Sequence, residues 1–342
     1  MTKIFQKPVT IKDIARQAGV SVATVSRALN NPGRVNAATA ESVRAAAEAL
    51  DYIPYRAAGS LVSKRFKAVG ALMPTIDNPI FAKALHALQT RLNDHGYSLL
   101  VASTHYDSGL EVTALQSLIE HGVDAIVLVG ALHHPGVDKL LARTDMPFVN
   151  TWIYDANSPF PCIGLDNEAA MFRMTNYLLD LGHRSFAFVA GITEHNDRAA
   201  QRKAGALAAL SARGITLSSN RVIECPYTIA AGRSALRTLL TLPEQPTAIM
   251  CGNDVLAFGV VYECLAQGLK IPTEYTVTGF DDFELSSHMI PSLTTVRVPA
   301  TEMGVAAADY LVAVLEDKPA PRHTEFEAEL IVRGSSAPPR SA

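Results

Sequence analysis

The stretch TIKDIARQAGVSVATVSRALNNPGRV, residues 10–35, decides the fold of the N-terminal part of this chain. Apolar residues recur at helical spacing on both sides of Gly19, which predicts two short helices joined by a tight turn. Thr10 and Ser21 stand where a hydroxyl group can cap the first turn of each helix. A third helix over about residues 37–50 is indicated by a further apolar stripe, which comprises Val43, Ala46, Ala47 and Leu50. Together these features predict a helix-turn-helix head.

The start of the second helix carries side chains that suit contact with DNA. In a helix-turn-helix, the first residues of this helix enter the major groove. Arg27 can pair bidentately with a guanine edge or a phosphate, whereas Val22 and Ala23 offer only apolar contacts, for example to a thymine methyl group. Without further support these positions could also be ordinary surface residues of a three-helix bundle. The DNA-binding residues predicted in the head are Thr10, Ser21, Val22, Ala23, Thr24, Arg27 and Asn30.

The charges of the chain are unevenly distributed. The net charge at pH 7 is −3 over 342 residues. Residues 1–67 hold 11 Lys and Arg but only four Asp and Glu, a balance of +7, so the remainder carries −10. A basic head on an acidic body indicates that only the head contacts a polyanion.

Residues 10–35 resemble the DNA-binding head of the LacI/GalR family almost position for position. The resemblance continues through LDYIPYRAAGSLVSKRFKAVGALMP, residues 50–74, where the family has a hinge helix that forms on operator DNA. It implies that Leu61 inserts into the minor groove as an apolar wedge. Arg56 and Ala58 are the other DNA contacts predicted in the hinge. Tyr55 departs from the family, which often has Asn there, and Leu61 could instead be a core residue of a linker helix.

From Ala68 onward the sequence pattern changes to alternating strands and helices. Apolar strand-like segments separated by amphipathic helices give a βαβαβ order, and the same order repeats after Asn167. Two such units predict two lobes, each with a parallel doubly wound sheet, and a ligand cleft beyond the carboxyl ends of the strands. The predicted fold is therefore an all-α helix-turn-helix head followed by an α/β two-lobed, periplasmic-binding-protein-like effector domain.

The predicted domain boundaries follow these pattern changes. The head covers residues 1–55, the hinge helix 56–66 and the effector-binding and dimerisation domain 67–342. The first lobe is predicted at about 67–163 and 294–322, and the second at about 164–291 and 323–342.

Two further segments, residues 252–272 and 277–304, resemble effector-domain signatures of the same family. The resemblance implies that Arg202 is the cleft arginine and that Asn253 and Asp281 hydrogen-bond effector hydroxyl groups. Further positions in the family comparison are Asn150, where Asp is frequent, Tyr227, where an aromatic ring often stacks on the ligand, and Phe81, on the opposite wall.

Two other candidates for the effector site rest on weaker signals. Trp152, the only tryptophan of the chain, could stack on the ligand or serve as a core residue between the lobes. Arg198 precedes Arg202 by four residues and could add a positive charge on the same helix face. Arg198 could equally pair with Asp197 or Glu194. The two arginines and the replacement of Asp by Asn150 keep a carboxylated effector open beside a sugar.

Other classes of protein are less consistent with the sequence. No phosphate-binding, nucleophile-elbow, dinucleotide-binding or zinc-protease motif is present, so an enzyme is not predicted, and no cofactor or metal is expected. His133 and His134 are adjacent and lack ligand-spaced partners, which favours a solvated loop. A secreted sugar-binding protein would share the two lobes but would need a signal peptide, which is not evident. The four separated cysteines are typical of a cytoplasmic protein with reduced thiols.

The sequence therefore predicts a DNA-binding transcription regulator, expected to be a cytoplasmic homodimer and a repressor. Its partners would be operator DNA, a second copy of the chain and a small effector, favoured as a sugar or sugar acid. A regulator that uses a nucleobase or another metabolite as co-repressor is the alternative.

Overall fold

The computed structural model describes residues 9–30, 32–52 and 66–340. The chain divides into two compact units, Met1–Phe66 and Lys67–Ala342. The hinge contacts predicted at Arg56, Ala58 and Leu61 lie outside the described residues, so they stay predictions.

The first unit contains the three predicted helices: α1 (Ile11–Ala18), α2 (Val22–Asn30) and α3 (Ala37–Ala49). Gly19 has a φ of 68°, a left-handed conformation that allows the tight turn between α1 and α2. Ser21 caps α2, because its Oγ accepts a hydrogen bond from the Thr24 N–H at 3.1 Å. Thr10 and Asp13 form a capping box at the start of α1, in which the Thr10 N–H and hydroxyl both donate to the Asp13 carboxylate, at 2.9 and 2.6 Å. Each helix contributes a fully buried residue to one small core: Ile14, Val25 and Val43.

The first lobe of the second unit is a six-stranded parallel sheet in the order β11-β5-β4-β3-β1-β2. Helices cover both faces, as predicted: α4 packs against α12 on one face and α5 against α6 on the other. The strands are β1 (Ala68–Met73), β2 (Ser98–Ser103), β3 (Ala125–Val129), β4 (Phe148–Thr151), β5 (Cys162–Gly164) and β11 (His323–Glu325). The helices are α4 (Pro79–Asp94), α5 (Glu111–Glu120), α6 (Pro135–Thr144) and α12 (Ala300–Leu315).

The second lobe is a four-stranded parallel sheet in the order β7-β6-β8-β9. Here α7 packs against α8 and α9 packs against α10. Its strands are β6 (Phe186–Gly191), β7 (Val222–Cys225), β8 (Ala248–Cys251) and β9 (Thr276–Thr278). Its helices are α7 (Asn167–Asp180), α8 (Asp197–Ala212), α9 (Ile229–Leu240), α10 (Asp254–Ala266) and α11 (Glu284–His288).

Strand pairing corrects the predicted lobe boundaries at two places. The segment β10 (Thr295–Arg297) was expected in the first lobe, but it pairs with β12 (Glu329–Ile331) in a small antiparallel sheet. Bridges from Thr294 to Thr278 and from Arg297 to Asp281 join this segment to the second lobe. Conversely, β11 was expected in the second lobe but pairs with β5 of the first. The apolar pattern of a three-residue strand does not indicate which other strand it pairs with.

Close backbone approach fixes the packing of α7 on α8. A Cβ atom at Gly205 would lie 2.1 Å from the carbonyl oxygen of Glu168, so only glycine fits between the two helices at this point. We expect Gly205→Ala to lower the free energy of unfolding by about 1 to 3 kcal/mol, because the helices must separate to admit the methyl group. Urea denaturation measures the change.

The neighbouring Ala204 is exposed on the same helix and provides the control. Ala204→Ser should change the free energy of unfolding by no more than about 0.5 kcal/mol. Equal stability of the two variants would contradict the packing constraint at Gly205.

Candidate functional site

The N-terminal end of α2 presents the side chains predicted to read DNA. Val22 is 40% exposed, which is unusual for a valine in a small bundle, and Ala23 and Arg27 are also exposed. Thr24 is half-buried, and its hydroxyl lies 2.9 Å from the Ser21 Oγ. Asn30 is the last residue of α2. Since the packing of the head does not use Val22, Ala23 or Arg27, these side chains are available for contact with another molecule.

A cleft of about 420 Å³, partly open to solvent, lies between the two lobes. Seven of the eight predicted effector residues line it: Phe81, Trp152, Arg198, Arg202, Tyr227, Asn253 and Asp281. They come from segments that follow the carboxyl ends of strands in both sheets. The parallel topology therefore brings together residues that are up to 200 positions apart in the sequence.

Three asparagines of the cleft also cap helices. The Oδ1 atoms of Asn78, Asn196 and Asn253 accept backbone N–H groups at the starts of α4, α8 and α10, at 3.1, 3.3 and 3.0 Å. Because Oδ1 is engaged, each side chain offers a ligand its Nδ2 amino group, a hydrogen-bond donor. Capping a helix and contacting a ligand are therefore compatible for these residues.

Arg202 and Asp281 form the charged centre of the cleft. The Arg202 Nη1 lies 3.7 Å from the Asp281 Oδ1, and both side chains are at least 90% buried. The guanidinium group also lies 4.7 Å from the centroid of the Phe280 ring, and its Nη2 is 3.4 Å from the Tyr227 hydroxyl. Among the described residues, the Arg202 Nε has no hydrogen-bond partner although it is buried. A buried donor of this kind is stabilised when a ligand supplies an acceptor.

Burial controls the ionisation of Asp281. It raises the pKa of this carboxyl group to about 8, although the Arg202 guanidinium opposes the shift. Asp254, which lies behind the cleft, has its pKa raised to about 6 by burial, against hydrogen bonds from Ser286, Thr295 and the Phe283 N–H. At neutral pH, Asp281 is therefore poised to gain or lose a proton when its surroundings change.

The backbone that carries Asp281 is held in an unusual conformation. Asp281 and Asp282 have φ values of 117° and 56°, in the left-handed region that side chains other than glycine rarely adopt. The Asp282 carboxylate accepts hydrogen bonds from Arg333 at 2.6 Å and Arg297 at 2.8 Å, and these two arginines fix the turn. The Asp281 N–H donates to the Val296 carbonyl at 2.8 Å. The strain is thus offset by interactions outside the cleft, and the Asp281 carboxyl group is directed inward.

Aromatic rings supply the apolar surfaces of the cleft. Phe81 and Trp152 contact each other edge to face, with ring centroids 4.8 Å apart. Tyr106 from the first lobe and Tyr227 from the second meet at 5.6 Å. Gly191 has no side chain because the Tyr227 ring occupies the space that a Cβ atom would need. Such rings can cover the apolar face of a small ligand while the polar groups contact its edges.

Asn150 does not line the cleft, in contrast to the prediction. It lies within β4, paired with Leu128 and Cys162 on either side, and is only 2% exposed. Residues inside a strand do not reach the cleft beyond its carboxyl end, whereas Trp152, directly after β4, does. The buried Asn150 Oδ1 has no hydrogen-bond partner in the part of the chain that is described.

Arg198 lines the cleft, but the Nη1 of its guanidinium group is already engaged. Its Nη1 donates to the Asp197 carboxylate at 2.8 Å and to the Val129 carbonyl at 3.0 Å. The predicted alternative of pairing with Asp197 is therefore the one observed, although the pair is buried rather than at the surface.

The cleft also contains residues that were not among the predicted effector contacts: Asn78, Ile80, Tyr106, Leu165, Asn167, Asn196, Phe280 and Val298. Most of them follow a strand end, as Tyr106 follows β2 and Asn167 follows β5. Listing the first residues after every predicted strand would have identified them. Ile80 and Val298 had no separate signal, because apolar residues in those positions resemble core.

The adjacent histidines belong to a structural loop. The ring nitrogens of His133 lie 3.3 Å from the Glu111 carboxylate and 3.1 Å from the Gly130 carbonyl oxygen. Among residues 9–30, 32–52 and 66–340, no group of three or more His, Cys, Asp or Glu side chains is arranged to hold a metal ion. No helix in those ranges has both the length and the apolar character needed to cross a membrane.

Comparison with known proteins identifies the family. Residues 10–55 match the family described as bacterial regulatory proteins, lacI family, and residues 175–336 match a periplasmic binding protein-like domain. The HTH-type transcriptional repressor CytR of Escherichia coli (strain K12) is 30% identical over 328 residues, which cover 96% of each protein. The chain belongs to the LacI family and is a DNA-binding transcription regulator.

Solved structures support the same assignment. The lac repressor dimer bound to operator and the anti-inducer ONPF has a TM-score of 0.86 at 26% identity, over 97% of this chain and all of that one. The complex of the transcriptional regulator CelR with cellobiose has a TM-score of 0.71 at 25% identity, over 96% and 100% of the two chains. These relatives are transcription regulators rather than enzymes.

The raised pKa of Asp281 predicts how stability depends on pH. Below about pH 4 both the folded and the unfolded chain hold the proton, whereas between about pH 4 and pH 8 only the folded chain does. Each step up in pH within this window therefore favours unfolding. We expect Asp281→Asn to become progressively more stable than the wild type from pH 4 to pH 8, with a constant difference above pH 8.

Urea denaturation at several pH values measures this difference. Asp180→Asn is the control, because Asp180 is largely exposed in its pair with Arg213. A pH-independent difference between Asp281→Asn and the wild type would show that Asp281 is ionised throughout this range.

Proposed function

We propose that this protein is a transcriptional repressor that binds operator DNA through α2 of its head and is controlled by a sugar bound in the cleft between its lobes. The observation that carries the proposal is the buried Arg202–Asp281 centre, which is flanked by amide donors and aromatic rings. Polar groups around an apolar surface match a molecule with hydroxyl groups on its edges and C–H groups on its face.

Operator binding is assigned to the exposed residues of α2 together with the positive charge of the head. The comparison with the lac repressor–operator complex supports this assignment. Thr10 and Ser21 directly precede the two helices, and Thr24 and Arg27 add polar groups along α2. In this proposal Arg27 contacts a guanine edge or a phosphate, and Val22 and Ala23 set sequence preference through apolar contacts.

We expect Arg27→Ala to weaken operator binding by roughly 10- to 100-fold, since a bidentate base contact contributes about 1 to 3 kcal/mol. Fluorescence anisotropy with a labelled promoter fragment at fixed salt measures the affinity. Arg44→Ala is the matched control, because Arg44 is exposed on α3 of the same head and pairs with Glu41. An affinity of Arg27→Ala within twofold of the wild type would exclude α2 as the recognition helix.

The engagement of Arg198 favours a neutral sugar over a sugar acid. Two guanidinium groups could face a carboxylated ligand, but the charge of Arg198 is already compensated by Asp197, and its Nη1 donates to both Asp197 and the Val129 carbonyl. Arg202 then remains, and its unpaired Nε can donate to a hydroxyl or ring oxygen. The complex of CelR with cellobiose supports the same choice.

Proton exchange on binding distinguishes the two ligand classes. A sugar hydroxyl that donates to Asp281 favours the carboxylate, so a neutral sugar releases protons near pH 7 and binds more tightly as pH rises toward 8. A carboxylated ligand instead accepts a hydrogen bond from protonated Asp281 and binds more weakly as pH rises. Calorimetry in two buffers of different ionisation enthalpy gives the sign directly, and a nucleobase co-repressor is the remaining outcome of the ligand screen.

We expect Arg202→Ala to abolish effector binding at concentrations that saturate the wild type, while operator binding persists. The variant loses the guanidinium donors that the ligand would use and leaves Asp281 without its cationic neighbour at 3.7 Å. A thermal-shift screen of sugars, sugar acids and nucleobases identifies the effector, and calorimetry then compares the variants. Arg213→Ala, directly after the same helix and outside the cleft, is the control. Normal effector binding by Arg202→Ala would place the effector site elsewhere.

The proposal includes a homodimer, because a helix-turn-helix protein reads paired half-sites with two copies of its head. The effector would act by binding one arrangement of the two lobes more tightly than the other, and only one arrangement would let the hinges order on the operator.

A further inference from the structure

The two lobes are joined by a set of hydrogen bonds beside the cleft, which we call the interlobe latch. It comprises Asp197 and Arg198 at the start of α8 and the backbone of residues 129–132 after β3. The Asp197 Oδ2 accepts from the N–H groups of Ala131 at 2.6 Å and Leu132 at 3.1 Å. The Arg198 Nη1 donates to the Val129 carbonyl at 3.0 Å.

The partners of the latch belong to different lobes. Asp197 and Arg198 lie between β6 and β7 of the four-stranded sheet, whereas residues 129–132 follow the central strand β3 of the six-stranded sheet. A rotation that opens the cleft must therefore break these bonds. All of the atoms involved are part of the chain, so the latch does not need an effector in order to form.

Several features show that the loop and the ion pair are built to fit each other. Gly130 has a φ of 86°, and a Cβ atom there would lie 2.0 Å from the Arg198 Nη1 and 2.6 Å from the Asp197 Oδ1. The Asp197 and Arg198 side chains are only 16% and 9% exposed. Glu111 also holds the loop that follows β3. Its carboxylate accepts a hydrogen bond from the His134 N–H at 2.7 Å and lies 3.3 Å from the His133 ring nitrogen. Separation would exchange these hydrogen bonds and the ion pair for contacts with water.

The latch is coupled to the cleft through α8. Arg198 and Arg202 are one helical turn apart on the same face, and both line the cleft, but the Arg198 Nη1 is held by Asp197 and the Val129 carbonyl. We propose that Asp197 and Arg198 are positioning residues that hold the lobes closed, so that the strength of the latch sets the fraction of molecules competent to bind the effector. The apparent dissociation constant rises as that fraction falls. This consequence rests on the proposed function, whereas the latch itself does not.

Trp152 provides a built-in reporter for the test. It is the only tryptophan of the chain, it lines the cleft, and it is 6% exposed. Opening of the cleft would make its indole accessible to acrylamide, so the Stern–Volmer constant of Trp152 fluorescence measures closure. The measurement uses the full chain with acrylamide alone and requires no effector or operator.

We expect Asp197→Asn and Gly130→Ala, which break the latch from opposite lobes, each to raise the quenching constant at least about twofold. Asp180→Asn is the control for the first, because Asp180 pairs with Arg213 within the second lobe. Gly214→Ala is the control for the second, because Gly214 has a φ of 73° and open space around it. The two glycine variants share the same backbone strain, so a difference between them reports the latch rather than a general loss of stability.

Circular dichroism at the same temperature verifies that each variant is folded, and if one latch variant does not fold, the other decides. Quenching by a folded latch variant that equals quenching by its control would overturn the proposal. Failure of the effector site would appear instead as normal effector binding by Arg202→Ala, which leaves the quenching result unchanged.

Discussion

Parallel strand pairing is the constraint on which the whole cleft depends. In each lobe it aligns the carboxyl ends of the strands at one edge, so the residues that follow the strands must meet there. Tyr106, Trp152 and Asp281 follow three different strands of two sheets, yet all of them line one cleft. The loop after β3 obeys the same constraint but serves to hold the lobes together. One geometric rule thus places both the ligand contacts and the contacts between lobes.

Buried charge determines how this edge can be used. Arg202 and Asp281 sit together away from solvent, and Asp197 with Arg198 form a second buried pair nearby. Backbone groups of the opposite lobe form hydrogen bonds with both Asp197 and Arg198. In the Arg202–Asp281 pair, the Arg202 Nε has no hydrogen-bond partner among the described residues. In the proposed function, this difference separates a pair that holds the lobes together from one that contacts the effector. Proximity in the sequence does not reveal it, since the two arginines occupy equivalent positions on successive turns of one helix.

The sequence was sufficient for the fold and, with the family resemblance, for seven of the fifteen residues that line the cleft. Periodicity and the glycine turn predict the three helices of the head, and the βαβ pattern predicts both sheets, because those signals are local. The assignments of Asn150 and of the β10 and β11 segments were wrong, because each depends on strand pairing across the sheet. The role of Arg198 depended on a carbonyl group about 70 residues away. Local patterns identify elements, whereas long-range partners decide what individual side chains do.

The capping asparagines carry a consequence for how specificity can diverge in this protein. Asn78, Asn196 and Asn253 each stabilise the first turn of a helix with one end of the amide and face the cleft with the other. A substitution that altered their ligand contact would also remove a cap, which typically costs about 1 kcal/mol of stability. The aromatic residues Phe81, Tyr106 and Tyr227 have no capping duty. Substitutions that change ligand preference are therefore expected first at the aromatic residues, while the three asparagines are retained.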